Sequence, residues 1–269
     1  MSRPAWALTF IKKAFIRDER KMAAAKLPVF GRMVEKFLFE DDHLVCLPRD
    51  QVVEVNREVE DPGQTVLPSA LAEHFIDRAS YLFLMNFCIC RESMECKDFP
   101  RQKGCLFMGE AARDINPDWG RPVKPDEAKA HLAECRDAGL IHFVGRSKLD
   151  TVWLGIGPGK KLLTICSCCP CCCITRGLPY VGDRFAGNIH RAPGVSVTVG
   201  EECVGCGVCA SACFARAIEV SGDRAVISAE CRGCGRCAGV CPQGAIRVTV
   251  DPRFFPGESA KNIAGLVDI

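Results

Sequence analysis

The sequence predicts an α+β fold, with a mostly helical, cysteine-rich N-terminal domain that includes a small β element, and a smaller C-terminal unit. Three observations lead to this prediction. Apolar residues recur at helical spacing before residue 140, short strand-like segments follow, and one cysteine pattern occurs twice between residues 203 and 242. We expect a metal-binding domain at 1–175, a connector at 176–194, the C-terminal unit at 195–250 and a tail at 251–269.

The composition restricts the possible classes of protein. The chain has 269 residues, 20 of which are cysteine, and its charge is nearly balanced, with 35 basic and 33 acidic side chains. The balance gives no indication of a nucleic-acid partner. A long chain without a signal-peptide pattern, with adjacent cysteines at 171–173, favours metal ligation in a reducing cytoplasm over disulfides. Charged residues interrupt the apolar windows, so we expect no transmembrane helix.

The N-terminal domain is predicted to contain helices at 5–16, 30–39, 68–86 and 125–138, and an extended segment at 43–59. The first helix is basic and amphipathic; it could bind a membrane surface or a partner, but packing on its own domain is the more common role. Strand-like segments at 140–144 and 151–156 form the small β element. Cys46, His131 and Cys135 have no metal-ligand spacing around them and are interpreted as packing or surface residues.

Two segments of this domain are rich in cysteine. Cys88, Cys90, Cys96 and Cys105 directly follow the predicted helix 68–86, and these four thiols could hold a metal centre without other residues, zinc included. The second segment contributes Cys166, Cys168, Cys169, Cys171, Cys172 and Cys173. Six thiols in this short segment do not all fit one centre, because successive residues of an extended chain face opposite ways.

The C-terminal unit carries a duplicated cysteine pattern. It reads Cys203-x2-Cys206-x2-Cys209-x3-Cys213 and then Cys231-x2-Cys234-x2-Cys237-x3-Cys241-Pro242. The first three thiolates of a copy can reach different irons of one [4Fe-4S] cubane, whereas the fourth begins the next helical segment and points away. Strand-like segments at 195–199, 217–220, 224–227 and 245–248 are expected to form two short hairpins. A zinc ribbon would use only two cysteine pairs.

Residues 195–250 resemble the bacterial two-[4Fe-4S] ferredoxins, and the resemblance implies a two-cluster ferredoxin-like domain. One cluster would then be held by Cys203, Cys206, Cys209 and Cys241, and the other by Cys231, Cys234, Cys237 and Cys213. One position departs from the family, because Phe214 stands where proline is usual.

With two cubanes in the C-terminal unit, the ten candidate ligands among the twelve cysteines of the N-terminal domain leave two allocations open. They could form two further clusters, or one mixed cluster with spare packing or redox-active thiols; ten thiols against the eight that two cubanes need slightly favour two clusters. The expected function is a multi-cluster relay of single electrons between redox proteins, and the chain could be a subunit of a larger complex. The alternative is a reductase whose substrate binds an N-terminal iron–sulfur centre, with Arg91 and Arg113 holding an anionic substrate.

Overall fold

The computed structural model describes residues 2–15, 18–55, 67–251, 253 and 255–268. The described residues contain twelve β-strands. They are β1 (His43–Leu47), β2 (Val53–Val55), β3 (Leu82–Met85), β4 (Leu106–Met108), β5 (Gly120–Pro122), β6 (Ile141–Arg146), β7 (Leu163–Cys168), β8 (Ile189–Arg191), β9 (Val195–Val199), β10 (Ile218–Ser221), β11 (Arg224–Ile227) and β12 (Ile246–Val250).

The α-helices of the same residues are mostly short. They are α1 (Ala7–Ala14), α2 (Pro28–Leu38), α3 (Ser69–Arg78), α4 (Ile89–Ser93), α5 (Pro125–Asp137), α6 (Lys148–Leu154), α7 (Asp183–Ala186), α8 (Val208–Ala212), α9 (Arg236–Val240) and α10 (Gly257–Ala264). Within the described residues, no helix combines the length and the apolar character that crossing a membrane requires.

Among the described residues, a seven-stranded sheet in the order β5-β3-β4-β7-β6-β1-β8 is the main element before residue 195. Its neighbours are antiparallel, except that β8 runs parallel to β1. The cysteine-rich strand β7 lies between β4 and β6, in register with Phe143 at Cys166 and with Ile141 at Cys168. Since side chains alternate along a strand, Cys166 and Cys168 lie on the same face of the sheet.

This sheet is a correction to the small β element that the sequence predicts. The helix expected at 68–86 is wrong in its second half, because α3 ends at Arg78 and β3 follows. All four residues of β3 are buried. A short apolar run that is buried on both faces has no alternation, so its pattern does not separate a strand from a helix.

The strand expected at 151–156 is also wrong, because α6 occupies most of this segment. The Trp153 indole Nε1 donates a hydrogen bond to the Asp150 carboxylate at 2.9 Å, which joins two residues of adjacent helical turns. Gly155 then ends the helix with a φ of 69°, a left-handed conformation that glycine adopts without strain.

The other helices expected in the N-terminal domain are confirmed as α1, α2 and α5. The extended segment expected at 43–59 contains β1 and β2, while residues 56–59 lie outside the described residues. The four strands expected in the C-terminal unit are confirmed as β9 to β12. They pair as β9 with β12 and β10 with β11.

The C-terminal unit is joined to the preceding chain by a shared sheet and a shared core. Strand β2 pairs with β12 in parallel, so that β2, β12 and β9 form a three-stranded sheet. One apolar cluster includes Leu47 and Leu71 together with Val195, Val248 and Ile263. The domain boundaries expected from the sequence stay a prediction.

Candidate metal centres

The first group of thiols, called set A, consists of Cys203, Cys206, Cys209 and Cys241. These four residues line one pocket, together with the backbone of the loop before α8. The first three belong to the first copy of the motif and the fourth to the second copy. Gly205 turns this loop with a φ of 63°, and a Cβ atom there would lie 2.7 Å from the Asp223 backbone, so the loop requires glycine.

The second group, set B, consists of Cys213, Cys231, Cys234 and Cys237. Burial raises the pKa of Cys237 to about 12. The nearby sulfurs of Cys234, Cys231 and Cys213 raise it further, because negative charge on any of them would repel a Cys237 thiolate. The structure therefore brings Cys213, from the first copy, to the loop of the second copy.

Backbone amides donate hydrogen bonds to several of these sulfurs. The Ala225 amide lies 3.4 Å from Cys203 Sγ, the Ala217 amide 3.3 Å from Cys213 Sγ, and the Gly233 amide 3.4 Å from Cys231 Sγ. The Ala225 amide lowers the pKa of Cys203, because a donor favours the charged thiolate. Such N–H···S bonds tune iron–sulfur centres, so the backbone fits thiolate ligands in sets A and B.

Six thiols of the N-terminal domain form a third group, the hexathiol ring. Each one contacts two others, in the closed order Cys88, Cys90, Cys173, Cys168, Cys166, Cys105 and back to Cys88. The Sγ atoms are 3.5 Å apart for Cys105 and Cys166, and 3.1 Å apart for Cys168 and Cys173. Four of the six are buried, and Cys90 and Cys166 are half-buried.

The remaining four thiols form the tetrathiol site, which consists of Cys96, Cys169, Cys171 and Cys172. Their sulfurs all lie within 4.8 Å of one another. Burial raises the pKa of Cys171 to about 12, so this thiol keeps its proton at neutral pH unless a cation displaces it. Metal binding at the site would therefore release protons.

Neither of the two cysteine-rich segments of the N-terminal domain forms a single thiol group in the structure. Cys88, Cys90, Cys96 and Cys105 do not come together as one set, because Cys96 lies in the tetrathiol site and the others in the ring. The second segment is split between both groups. All ten candidate ligands belong to one group or the other, and all 20 cysteines of the chain are free thiols in the structure.

The cysteines interpreted as packing residues lie outside these four groups. Cys46 on β1 and Cys135 on α5 are fully buried. The buried His131 places its Nε2 3.1 Å from the Gly104 carbonyl oxygen and 3.5 Å from Cys135 Sγ. These contacts are typical of a packed core and fit the sequence interpretation.

Arg91 lies fully buried beside the thiols. Its guanidinium donates to the carbonyl oxygens of Pro100 at 2.9 Å, of Ser167 at 2.7 Å and of Lys103. Burial lowers the pKa of Arg91, but the thiols of Cys88 and Cys105 outweigh this effect, so its pKa lies above its usual value. Arg91 is thus a fixed positive charge next to the ring.

The burial of Arg91 argues against the substrate role expected for it, and the role expected for Arg113 stays a prediction. Arg91 is inaccessible and bonded to three carbonyl groups. Arg113 donates to the Ser80 carbonyl at 3.2 Å and its guanidinium lies 4.4 Å from the centre of the Tyr81 ring. Arg91 is therefore occupied by contacts within the protein, whereas Arg113 is exposed.

Arg236 and Phe214 connect set B with the hexathiol ring, and sequence reasoning did not identify Arg236. Its Nη2 donates to the Cys168 carbonyl oxygen at 2.5 Å, and its guanidinium lies 5.8 Å from the centre of the Phe214 ring. Phe214 packs edge-on against Phe143 of β6, with ring centroids 6.0 Å apart. The departure from the usual proline therefore places an aromatic anchor between the C-terminal unit and the seven-stranded sheet.

The comparison with protein families found a match within the C-terminal unit. Residues 209–251 match a family model described as the LdpA Fe-S cluster-binding domain. The matched range contains all of set B and two cysteines of set A. An iron–sulfur cofactor is thereby supported for this chain. Searches of the curated proteins and of the solved structures found no match.

Proposed function

We propose that this chain is a multi-centre iron–sulfur electron-transfer protein, with two [4Fe-4S] clusters in a ferredoxin-like C-terminal unit and a further iron–sulfur centre in the hexathiol ring. One observation carries the proposal. The fourth cysteine of each motif copy lies with the first three of the other copy, which is the ligand arrangement of two-cluster ferredoxins. Its donor and acceptor are proposed to be redox proteins.

The chain's own residues supply what such centres need. Sets A and B each offer four thiolates on preformed loops, and backbone amides are already directed at three of the sulfurs. When bound, an iron–sulfur cluster accepts and passes on one electron, with a potential set by hydrogen bonds and burial.

Contacts between set B and the ring support transfer between them. Cys234 of set B packs against the apolar cluster that contains Cys168 and Cys173 of the ring. Arg236 binds the Cys168 carbonyl and also lies near the Cys234 thiol, where its charge lowers the pKa of that thiol against the larger opposing effect of burial. A guanidinium in this position stabilises negative charge on both sides.

The hexathiol ring exceeds the four thiolates that one cubane needs. Four of its members can serve as ligands, and two remain as neighbours of the same centre. Four of its six cysteines are buried, which suits electron transfer better than substrate reduction. No observation among the described residues favours the reductase.

The first experiment tests the crossed arrangement in the C-terminal unit. The chain, Cys213→Ser and Cys241→Ser are purified without oxygen, and electron paramagnetic resonance is recorded during stepwise reduction. Cys241→Ser should alter one cubane signal and Cys213→Ser the other. The buried Cys135→Ser serves as the control and should alter neither, because Cys135 packs in an apolar cluster that contains no cysteine of set A or set B. Loss of both signals or of neither signal in the two ligand variants would contradict the arrangement.

The second experiment tests the ring by counting iron and acid-labile sulfide. Two cubanes contribute about eight irons per chain and a third raises the count to about twelve. Cys90→Ser should remove the additional iron and sulfide and leave both C-terminal signals intact. A count of about eight irons and eight sulfides in the unmodified chain would exclude an iron–sulfur centre in the ring.

A further inference from the structure

The tetrathiol site differs from the other thiol groups because every one of its four sulfurs lies within 4.8 Å of the other three. Cys171 Sγ lies 3.7 Å from Cys96 Sγ and 3.6 Å from Cys172 Sγ. Four thiolates placed tetrahedrally at about 2.3 Å from one ion are about 3.8 Å apart, by simple geometry. The two measured separations agree with this edge length.

A cubane needs a wider arrangement, because four irons and four sulfides lie between its thiolates. Among the thiols that the structure describes, only these four form a group whose sulfurs all lie within 4.8 Å of one another. Sets A and B, which match the cubane pattern in sequence, do not. The same chain thus contains wide and tight thiol groups, and the tight one has the dimensions of a single-ion site.

We propose that the tetrathiol site binds one tetrahedral divalent metal ion, zinc or mononuclear iron, and not a fourth cluster. Both ions take four thiolates in this geometry. The Cys172 amide donates a hydrogen bond to Cys169 Sγ at 3.3 Å, a contact that a metal-bound sulfur also accepts. Four thiolates and one divalent ion carry a net negative charge. The positively charged Arg91 offsets it, because its guanidinium interacts electrostatically with Cys169 of the site.

The position of the site indicates a structural role. Cys96 follows α4, which carries Cys90 of the ring, and Cys169 follows Cys168 of the ring. An ion at this site would tie together two segments whose cysteines, Cys96 and Cys171, are 75 residues apart in the chain. It would therefore hold the hexathiol ring closed from one side. This inference does not depend on electron transfer.

The test compares Cys96→Ala with Cys135→Ala. Both residues are buried in the same apolar cluster, but Cys135 belongs to no thiol group. Zinc, iron and acid-labile sulfide are counted per chain after anaerobic purification. Cys96→Ala should lose one metal ion and no sulfide, while Cys135→Ala should lose neither. Loss of about four irons with about four sulfides would show a cubane and overturn the proposal, as would an unchanged metal count.

X-ray absorption of the unmodified chain gives a second result that does not need a folded variant. If the ion is zinc, the zinc edge should show four sulfur neighbours at about 2.3 Å and no iron neighbour. If the ion is iron, the chain should contain one iron in excess of its sulfide, with a mononuclear signature in Mössbauer spectra. A chain with no zinc and with equal iron and sulfide would overturn the proposal.

Discussion

Replacing Phe214 with alanine tests how the C-terminal unit is attached. Phe214 is 8% exposed and packs against Phe143 and under Arg236. Truncating a buried phenylalanine costs about 3–5 kcal/mol. We expect about 3 kcal/mol, the lower end, because Phe214 lies at a contact between two parts of the chain and is not completely enclosed.

The measurement is the apparent thermal midpoint of the anaerobic protein at a fixed scan rate, since unfolding with loss of a cofactor is not reversible. In domains of about this size, each kcal/mol shifts the midpoint by about 2–4 °C, so Phe214→Ala should lower it by about 6–12 °C. Phe10→Ala is the control, because Phe10 is 64% exposed. It should leave the midpoint unchanged.

A second substitution separates packing from backbone effects. Phe214→Pro restores the residue that is usual at this position of the motif, but it also removes the contact with Phe143. We expect a decrease as large as in Phe214→Ala. Equal midpoints for Phe214→Ala and Phe10→Ala, or a Phe214→Pro variant as stable as the unmodified chain, would refute the anchoring role.

Three further predictions concern buried charges. Arg236→Met removes a positive charge beside Cys234, so the set B centre should become harder to reduce, by about 60 mV (about 1.4 kcal/mol), in a spectroscopic titration that leaves the set A potential unchanged. Arg91→Lys keeps the positive charge but loses the planar guanidinium that donates to three carbonyl groups. It should lower the free energy of unfolding by about 2–3 kcal/mol and lower the thermal midpoint accordingly. An unchanged midpoint would contradict this. Burial raises the pKa of Asp150 to about 6, above its unfolded value, so the folded state holds this proton more tightly and loses stability as pH rises. Between pH 5 and 7 the free energy of unfolding of the unmodified chain should fall by about 1 kcal/mol more than that of Asp150→Asn. If the free energies of unfolding of the two proteins change in parallel with pH, this contribution is excluded.

The grouping of the C-terminal cysteines into sets A and B could be predicted from sequence, because the proposed ligands follow a local spacing. Three cysteines on one loop form most of each site, and the duplication supplies the fourth. The role of Phe214 could not be predicted in the same way. Its partner Phe143 is distant in the chain, and only the fold brings the two rings together.

The grouping of the N-terminal cysteines depends on the sheet and was therefore only partly predictable. Alternation along an extended segment indicated only that its six thiols would not all fit one centre. The separation of Cys96 from its sequence neighbours, and its grouping with Cys169, can be seen only in the fold. The sequence prediction had too small a sheet, because the apolar run of β3 was interpreted as the end of a helix.

The pairing of β2 with β12 has a consequence for fragments of this chain. A fragment that starts at residue 195 would leave the backbone donors and acceptors of one side of β12 without the partner that β2 provides. An uncovered strand edge of this kind recruits further copies, so the fragment is expected to self-associate in solution although it contains every cysteine of the duplicated motif. The early part of the chain thus protects the late part from aggregation.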